Sequence, residues 1–457
     1  MKIYTGKFGD KMAQKIFAFI GIVFFFLGCA SKEIEPIVLT LPPQDLRDFI
    51  KDSKVISRIN REEQKVEYLK HFFSPWDKKS YLTADEVQWG LRLAYAKEGF
   101  GENLQAYRKE EIEALEFEAD FSAYPSVKKP AIITRSTNLR VLPTNKPRFL
   151  NPSLAGEGFP FDYWQNSYIY LGTPVLITHY SRSKAWAYVE SGFVSGWVSV
   201  LDVGLLKDAQ IAHFKKTKDF LIAKRDYIPL DKQGKYLEMA RIGMLLPLIG
   251  STKTQYETEI YVRNTRGYAQ AQRVVLEQKD FAKFPMVFSS AKVAQLAQKL
   301  LGEKYGWGGM FGNRDCSMFL RDVLGNFGFY LPRNSQAQMR QNIKKQDLYK
   351  DISQQSVAQK LETIKEYGIP FATLLGMKGH IMLYLGEKDG KVYVLHDVWG
   401  LKTLQNETQE GREIIGGIVV TPLDIGRDVS GVIQSELLVS RLYGVRNLFL
   451  KEVLINE

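Results

Sequence analysis

Two cysteines and five histidines in 457 residues are few, and the scarcity excludes several classes of protein. A scaffold built on disulfides needs many more cysteines. A structural zinc site needs Cys and His clustered at short spacing, and no such cluster occurs. There is no long low-complexity tract, so most of the chain is expected to fold. There is also no apolar run of bilayer length. Ile16 to Leu27, near the N-terminus, spans only 12 residues, against the roughly 20 that a crossing helix needs. The formal charge of +11 is modest, and Lys2, Lys7, Lys11 and Lys15 supply part of it. Such an excess favours anionic surfaces such as wall polymer or lipid headgroups, but a solvated lysine-rich face accounts for it equally well. Nucleic acid is not implied, and neither metal nor cofactor is expected.

What is present is a chain too long for one hydrophobic core, about three domains at ordinary domain size. Its composition, 45% hydrophobic and 25% charged, is that of globular protein. The short apolar run after a basic stretch has the length of a signal-peptide core, whether translation starts at Met1 or Met12. It ends in Phe26-Leu27-Gly28-Cys29-Ala30-Ser31, which resembles the lipobox of bacterial lipoproteins. That resemblance implies removal of residues 1–28, lipidation of Cys29 and anchoring to a membrane. With Ala30 following the cysteine, it implies the outer membrane if the source is Gram-negative.

With Cys29 assigned to the lipid, Cys316 is left without a disulfide partner. It lies in Gly302-Glu303-Lys304-Tyr305-Gly306-Trp307-Gly308-Gly309-Met310-Phe311-Gly312-Asn313-Arg314-Asp315-Cys316-Ser317-Met318-Phe319. Upstream, Val293, Leu296, Ala297, Leu300 and Leu301 fall on one helical face; downstream, 318–324 again reads as helix. Cys316 is therefore expected to open a helix. The free amides and dipole at that end are expected to lower the thiol pKa and to offer an oxyanion site. The glycines suit a loop whose backbone approaches a substrate closely.

A thiol nucleophile needs a base. His380 begins a short β-like run, Gly379 to Gly386, and His396 is read as ending the next, Val392 to His396. Between them Glu387-Lys388-Asp389-Gly390-Lys391 has hairpin composition. Two adjacent antiparallel strands can then present two imidazoles at one edge, one to take the thiol proton and one to orient it. His179 reads as a barrel residue.

The Tyr-x-Trp-Gly-Gly loop at Tyr305, the Asp315-Cys316-Ser317 triplet and the Gly379-His380 pair together resemble the NlpC-type family of cell-wall cysteine peptidases. The resemblance implies a papain-like α+β domain over 286–457. Cys316 would be the nucleophile, His380 the base and His396 its partner; Tyr305 would serve the oxyanion and substrate, and Asp315 and Ser317 the substrate's amino terminus. Upstream it is similar to a multidomain subset with a helical N-terminal domain (42–127) and two bacterial SH3-like β-barrels, expected at 128–208 and 226–285. In that subset the first barrel leans over the groove. This implies hydrolysis of the γ-D-glutamyl to diamino-acid (meso-diaminopimelate) bond of peptidoglycan stem peptides with a free L-alanine amine, which a negative patch including Asp315 would hold, with Phe193 nearby. An open-groove endopeptidase, an amidase or acyl transferase on the same platform, and a wall-binding lipoprotein with an inactive peptidase fold are the alternatives. Oligomeric state is not legible.

Overall fold

The computed structural model describes residues 37–50, 59–341, 348–404 and 409–451. Cys29 and the leader lie outside the described residues. The residues from Ile37 onward form one compact unit. No helix among the described residues is long and apolar enough to cross a membrane.

A short 3-10 helix, Leu46–Phe49, is followed by helices Arg61–Asp77, Ala84–Val87, Trp89–Ala96 and Lys109–Ala119. Asn60 caps Arg61–Asp77 by accepting from the Glu62 and Glu63 amides, and Thr83 with Glu86 forms a reciprocal capping box on Ala84–Val87. Their apolar faces do not make a core alone. Val87, Leu91 and Ile112 pack against Trp164, Tyr188 and Trp197 of the next domain.

That next domain is a seven-stranded antiparallel sheet from Lys129–Ile133 to Val203–Leu205. Alternating inward residues, among them Ile133, Leu139, Ile169, Ile177 and Val189, fill it. His179 is fully buried there, bonded to Ser126 Oγ at 2.8 Å and to the Ala119 carbonyl at 3.0 Å, so it is structural. The second barrel holds strands Phe220–Ala223, Leu246–Ser251, Gln255–Arg263, Ala269–Glu277 and Phe281–Lys283 in one sheet. It thus begins before the expected Asp226: Phe220–Ala223 is an interior strand of that sheet, paired on one side to Leu246–Ser251 and on the other to Phe281–Lys283.

The C-terminal domain is α+β. Its six antiparallel strands run in the order Tyr349–Asp351, Leu442–Asn447, Thr373–Met377, His380–Lys388, Lys391–Leu404 and Glu410–Pro422. The cysteine helix, Cys316–Gly325, buries Phe319, Leu320 and Val323 against Ile381, Leu383, Leu395 and Ile418 of the sheet. Each such side chain contributes about 1.5–3 kcal/mol on burial, which fixes the helix, and with it the cysteine, on the sheet. The hairpin turn is Asp389-Gly390, both at positive φ (51° and 74°), the conformation that favours Asp-Gly in a two-residue connection. His396 does not end its strand. Lys391–Leu404 continues eight residues further because Glu410–Pro422 pairs with it as far as Leu404.

Candidate active site

The loop before the cysteine helix is shaped by close contact with the first barrel. Gly308 and Gly309 have φ of 58° and 82°, and a Cβ on Gly308 would sit 2.4 Å from the Gln165 carbonyl oxygen. These glycines therefore admit the barrel to the loop, where the sequence had suggested close approach to a substrate. Gln165 Nε2 donates to the Gly308 carbonyl at 3.1 Å.

Asp315 is the N-cap of the cysteine helix and accepts from the Met318 amide at 2.9 Å. Its carboxylate also takes Gly308 N (3.1 Å), Ser317 Oγ (3.0 Å) and both terminal nitrogens of Arg333 (3.1 and 2.7 Å). Burial opposes its charge, but the Arg333 guanidinium and these donors outweigh burial and hold the carboxyl below its ordinary range. Ser317 Oγ accepts from Arg333 at 2.9 Å, and Arg333 Nε reaches Ser167 Oγ of the first barrel at 2.7 Å.

Cys316 is buried at the first helical position. Burial drives its thiol pKa upward and the neighbouring Asp315 charge adds to this; the Ile381 amide only partly offsets them. The expectation of a lowered thiol pKa is thus overturned. A helix N-terminus supplies partial charge, whereas a thiolate buried beside a carboxylate loses most of its hydration. At rest the side chain is a thiol.

The Ile381 amide that faces Cys316 directly follows His380 in the chain. Leu383 pairs with Leu395, so His380 and His396 stand on the same sheet face, offset along the hairpin. His380 Nε2 lies 2.8 Å from His396 Nδ1, and His396 Nε2 lies 3.0 Å from Thr421 Oγ1. Burial, with Arg441 nearby, lowers the His380 pKa to about 4; burial and then His380 lower that of His396 further. Both rings are neutral. With Nε2–H on both, His380 Nδ1 is left with a free lone pair.

Two clefts meet at Tyr305, Trp307 and Gly379. The larger, of about 610 Å³, contains Cys316 and is walled by Trp89 and by first-barrel residues including Tyr163, Asn166 and Phe193. The smaller, of about 180 Å³, contains His380 and Trp399. The Tyr305 ring lies 5.9 Å from that of Trp399. Burial above all, and then the Cys316, Asp315 and Asp397 side chains, raise its phenol pKa well above the usual value, so it remains an O–H donor. Among the described residues, no group of three or more His, Cys, Asp and Glu side chains could hold a metal ion.

A family model for the NlpC/P60 family matches residues 302–398. Residues 18–124 match the N-terminal stabilising domain of NLPC_P60 proteins, 147–199 an SH3 domain of SH3b1 type and 208–253 one of SH3b2 type. The chain carries an NlpC/P60 domain behind two SH3-type domains. An NlpC/P60 endopeptidase from Photobacterium damselae subsp. piscicida has the same fold, with a TM-score of 0.77 at 22% identity over 90% of this chain and 98% of that one. An NlpC/P60 family protein from Bacillus cereus ATCC 10987 aligns with a TM-score of 0.46 at 17% identity, over 70% of this chain and 99% of that one. No curated protein matches the chain. The C-terminal domain is accordingly a peptidase domain of NlpC/P60 type.

Around this NlpC/P60 site the structure adds two residues that the sequence did not single out. Arg333 follows Leu331-Pro332 with no periodic signal of its own. Asp397 had a signal, being an acid next to His396 within an otherwise apolar strand stretch. It is fully buried and neither carboxyl oxygen has a hydrogen-bond partner. Burial, then Asp315, pushes its pKa well above the carboxylate range. The unfolded chain therefore releases this proton near pH 4 while the folded chain keeps it, so stability falls as pH rises, by about 1.4 kcal/mol per unit until the folded group ionises. Asp397→Asn should remove this slope from denaturant-derived stabilities measured between pH 4 and 8. Parallel curves for the two proteins would show that the carboxyl is charged in the fold.

Proposed function

We propose that this NlpC/P60 protein is a cysteine peptidase that hydrolyses the γ-D-glutamyl to diamino-acid bond of peptidoglycan stem peptides. The observation that carries the reading is the juxtaposition of Cys316, at a helix start facing the Ile381 amide, with the His380–His396–Thr421 relay that begins one residue earlier.

In this mechanism Cys316 Sγ attacks the γ-carbonyl carbon as its proton passes to His380 Nδ1. The Cys316 backbone N–H and the Tyr305 hydroxyl stabilise the oxyanion. The C–N bond then breaks, His380 gives its proton to the departing amine, and a thioester remains. Water adds to the thioester, returning a proton through His380 to Sγ and releasing the γ-glutamyl acid. His396 keeps His380 in the required tautomer.

Cys316 lines only the larger cleft and His380 only the smaller, so the acyl part of the substrate belongs in the first and the leaving diamino acid in the second. The smaller cleft carries Lys378, Lys402, Arg412 and Arg441, with Glu436 paired to Lys402 and Arg441 and Glu410 to Lys402 and Arg412; four cations against two acids suit the extra carboxylate of diaminopimelate better than lysine. The lipobox-like sequence supports attachment to a membrane through Cys29, which would hold the enzyme beside the wall.

Mass spectrometry of products tests the reading, using residues 30–457 and stem peptides carrying either diamino acid. Cleavage between D-glutamate and the diamino acid, faster for diaminopimelate, is expected. Cleavage at another amide would favour the amidase reading, and no cleavage would favour the wall-binding one.

A further inference from the structure

A third cleft, of about 260 Å³, lies at the seam between the second barrel and the peptidase domain and shares no residue with the two clefts of the site. Its cations come from three separate segments. Lys224 and Arg225 follow the strand Phe220–Ala223, Lys279 and Asp280 form the turn before Phe281–Lys283, and Lys292 and Lys299 come from the helix Ser290–Ala297 and the turn after it. Lys292, Leu296 and Lys299, spaced by four and then three residues, share one helical face. Asp280 is the only acid among the described lining residues, and it is already bonded to Arg225 Nε at 2.9 Å. Four lysines are left over. Lys224 Nζ donates to the Gln278 carbonyl at 3.0 Å, and among the described residues none of the four is ion-paired.

Like charges gathered in a concave seam repel one another, so an anion that enters is favoured by all of them together. Ammonium groups bind phosphate as point charges. Met286 and Leu296 add an apolar patch beside the cations, which suits the carbon of a phosphate ester and is of no use to a bare ion. The N-terminal segment runs along the same helix. Gln298, next to Lys299, donates to the Gln44 carbonyl at 3.2 Å and accepts from the Leu46 amide at 2.8 Å. Gln44 follows Cys29 by 15 residues, a length that spans at most about 50 Å. A lipid on Cys29 would therefore bring headgroups within that reach of the helix that lines the cleft.

We propose that this cleft is a phosphate-binding site that takes the headgroups of anionic phospholipid and so docks the seam of the second barrel and the peptidase domain on the membrane surface. The choice of a membrane as the source of phosphate rests on the lipid reading above; the site itself does not, and neither depends on the peptidase reading. A lipid tether alone leaves the protein free to turn, whereas the cleft fixes which face meets the bilayer.

The test uses residues 30–457, which lack the lipid and keep the whole compact unit from Ile37 onward. The protein is sedimented with phosphatidylcholine vesicles, with or without about one-third phosphatidylglycerol, at about 0.1 M salt, where exposed charges act over about 10 Å. Binding is expected only with phosphatidylglycerol. Lys292→Gln/Lys299→Gln should weaken it about tenfold or more. Lys235→Gln/Lys253→Gln removes the same charge from exposed barrel positions outside the cleft and should weaken it less than about threefold. Inorganic phosphate, against chloride at matched ionic strength, should raise the melting temperature of the wild type and not of the cleft variant. Equal weakening by the two pairs would show diffuse charge and overturn the site. A phosphate shift confined to the wild type, with no vesicle binding, keeps the site and overturns the membrane source. Sedimentation with purified sacculi that only the cleft variant loses, with vesicles left unbound, overturns that source in favour of wall polymer. Neither vesicle binding nor a phosphate shift overturns the proposal entirely.

Discussion

Replacing Cys316 by alanine should lower kcat/KM on a stem peptide by about 10⁴–10⁶ while leaving the fold in place. Two features set this size. Sγ is the only protein atom of the proposed mechanism that bonds to substrate carbon, and it faces the Ile381 amide, one residue after His380. Once Sγ is gone, the residual rate comes only from oxyanion contacts and binding. The structural cost is small, because alanine keeps the helix start and Asp315 still caps it through Met318. His380→Ala should lose nearly as much, and the double variant scarcely more than either single one, since the two side chains act as a unit. Steady-state kinetics on the three variants, with circular dichroism as the control for folding, checks this. A Cys316→Ala protein with wild-type turnover would remove the cysteine from the chemistry altogether.

Arg314→Met should destabilise the protein by about 3–5 kcal/mol, the cost of leaving buried charges unpaired. Arg314 is fully buried and joins two domains. Its Nη1 reaches Asp226 of the second barrel at 2.7 Å and Glu303 at 2.8 Å. Its Nη2 reaches Asp226 and the Ile242 carbonyl, both at 3.0 Å, and its Nε reaches Asp322 at 2.9 Å. The first barrel joins the same network, because Tyr170 donates its hydroxyl to Asp322 at 2.6 Å. Removing the guanidinium leaves Arg241 as the remaining cationic partner of Asp226. Arg314→Lys should recover only part of the loss, because one ammonium cannot span these acceptors. The pH dependence gives a second signature. Burial opposes the Asp226 charge, but Arg314 and then Arg241 outweigh it and lower its pKa to about 2. That contribution is present above about pH 4 and is lost as pH falls through 2. The Arg314→Met protein should therefore show a shallower acid limb in urea titrations. Unchanged stability would mean that the network offers no advantage over the water it displaces.

How legible these features were depended on the sequence distance over which they are built. The cysteine helix, the hairpin carrying both histidines and the Asp389-Gly390 turn are set by neighbouring residues. Their apolar periods and turn chemistry could be read directly. Arg333 and Arg314 take their meaning from groups elsewhere in the chain, Ser167 and Asp226 among them, that only the assembled domains bring together. The strand Phe220–Ala223 was missed at the start of the second barrel because its partners, Leu246–Ser251 and Phe281–Lys283, lie well downstream. Asp315 was recognised as an acid beside the nucleophile candidate, but its neutralisation by Arg333 depends on distance and not on pattern. The thiol was misjudged for a related reason: the helix start is local, whereas the burial that outweighs it comes from the whole domain.

Residues 30–457 contain a single cysteine, Cys316, so one measurement tests the central claim most directly. The protein is treated with an L-Ala-γ-D-Glu chloromethyl ketone, an electrophile carrying the proposed acyl part of the substrate, and followed by intact mass, peptide mapping and residual activity. The account predicts one adduct per chain, on Cys316, with activity lost in proportion to labelling, protection by stem peptide and much slower labelling of His380→Ala. Full labelling of Cys316 with hydrolysis undiminished would contradict it.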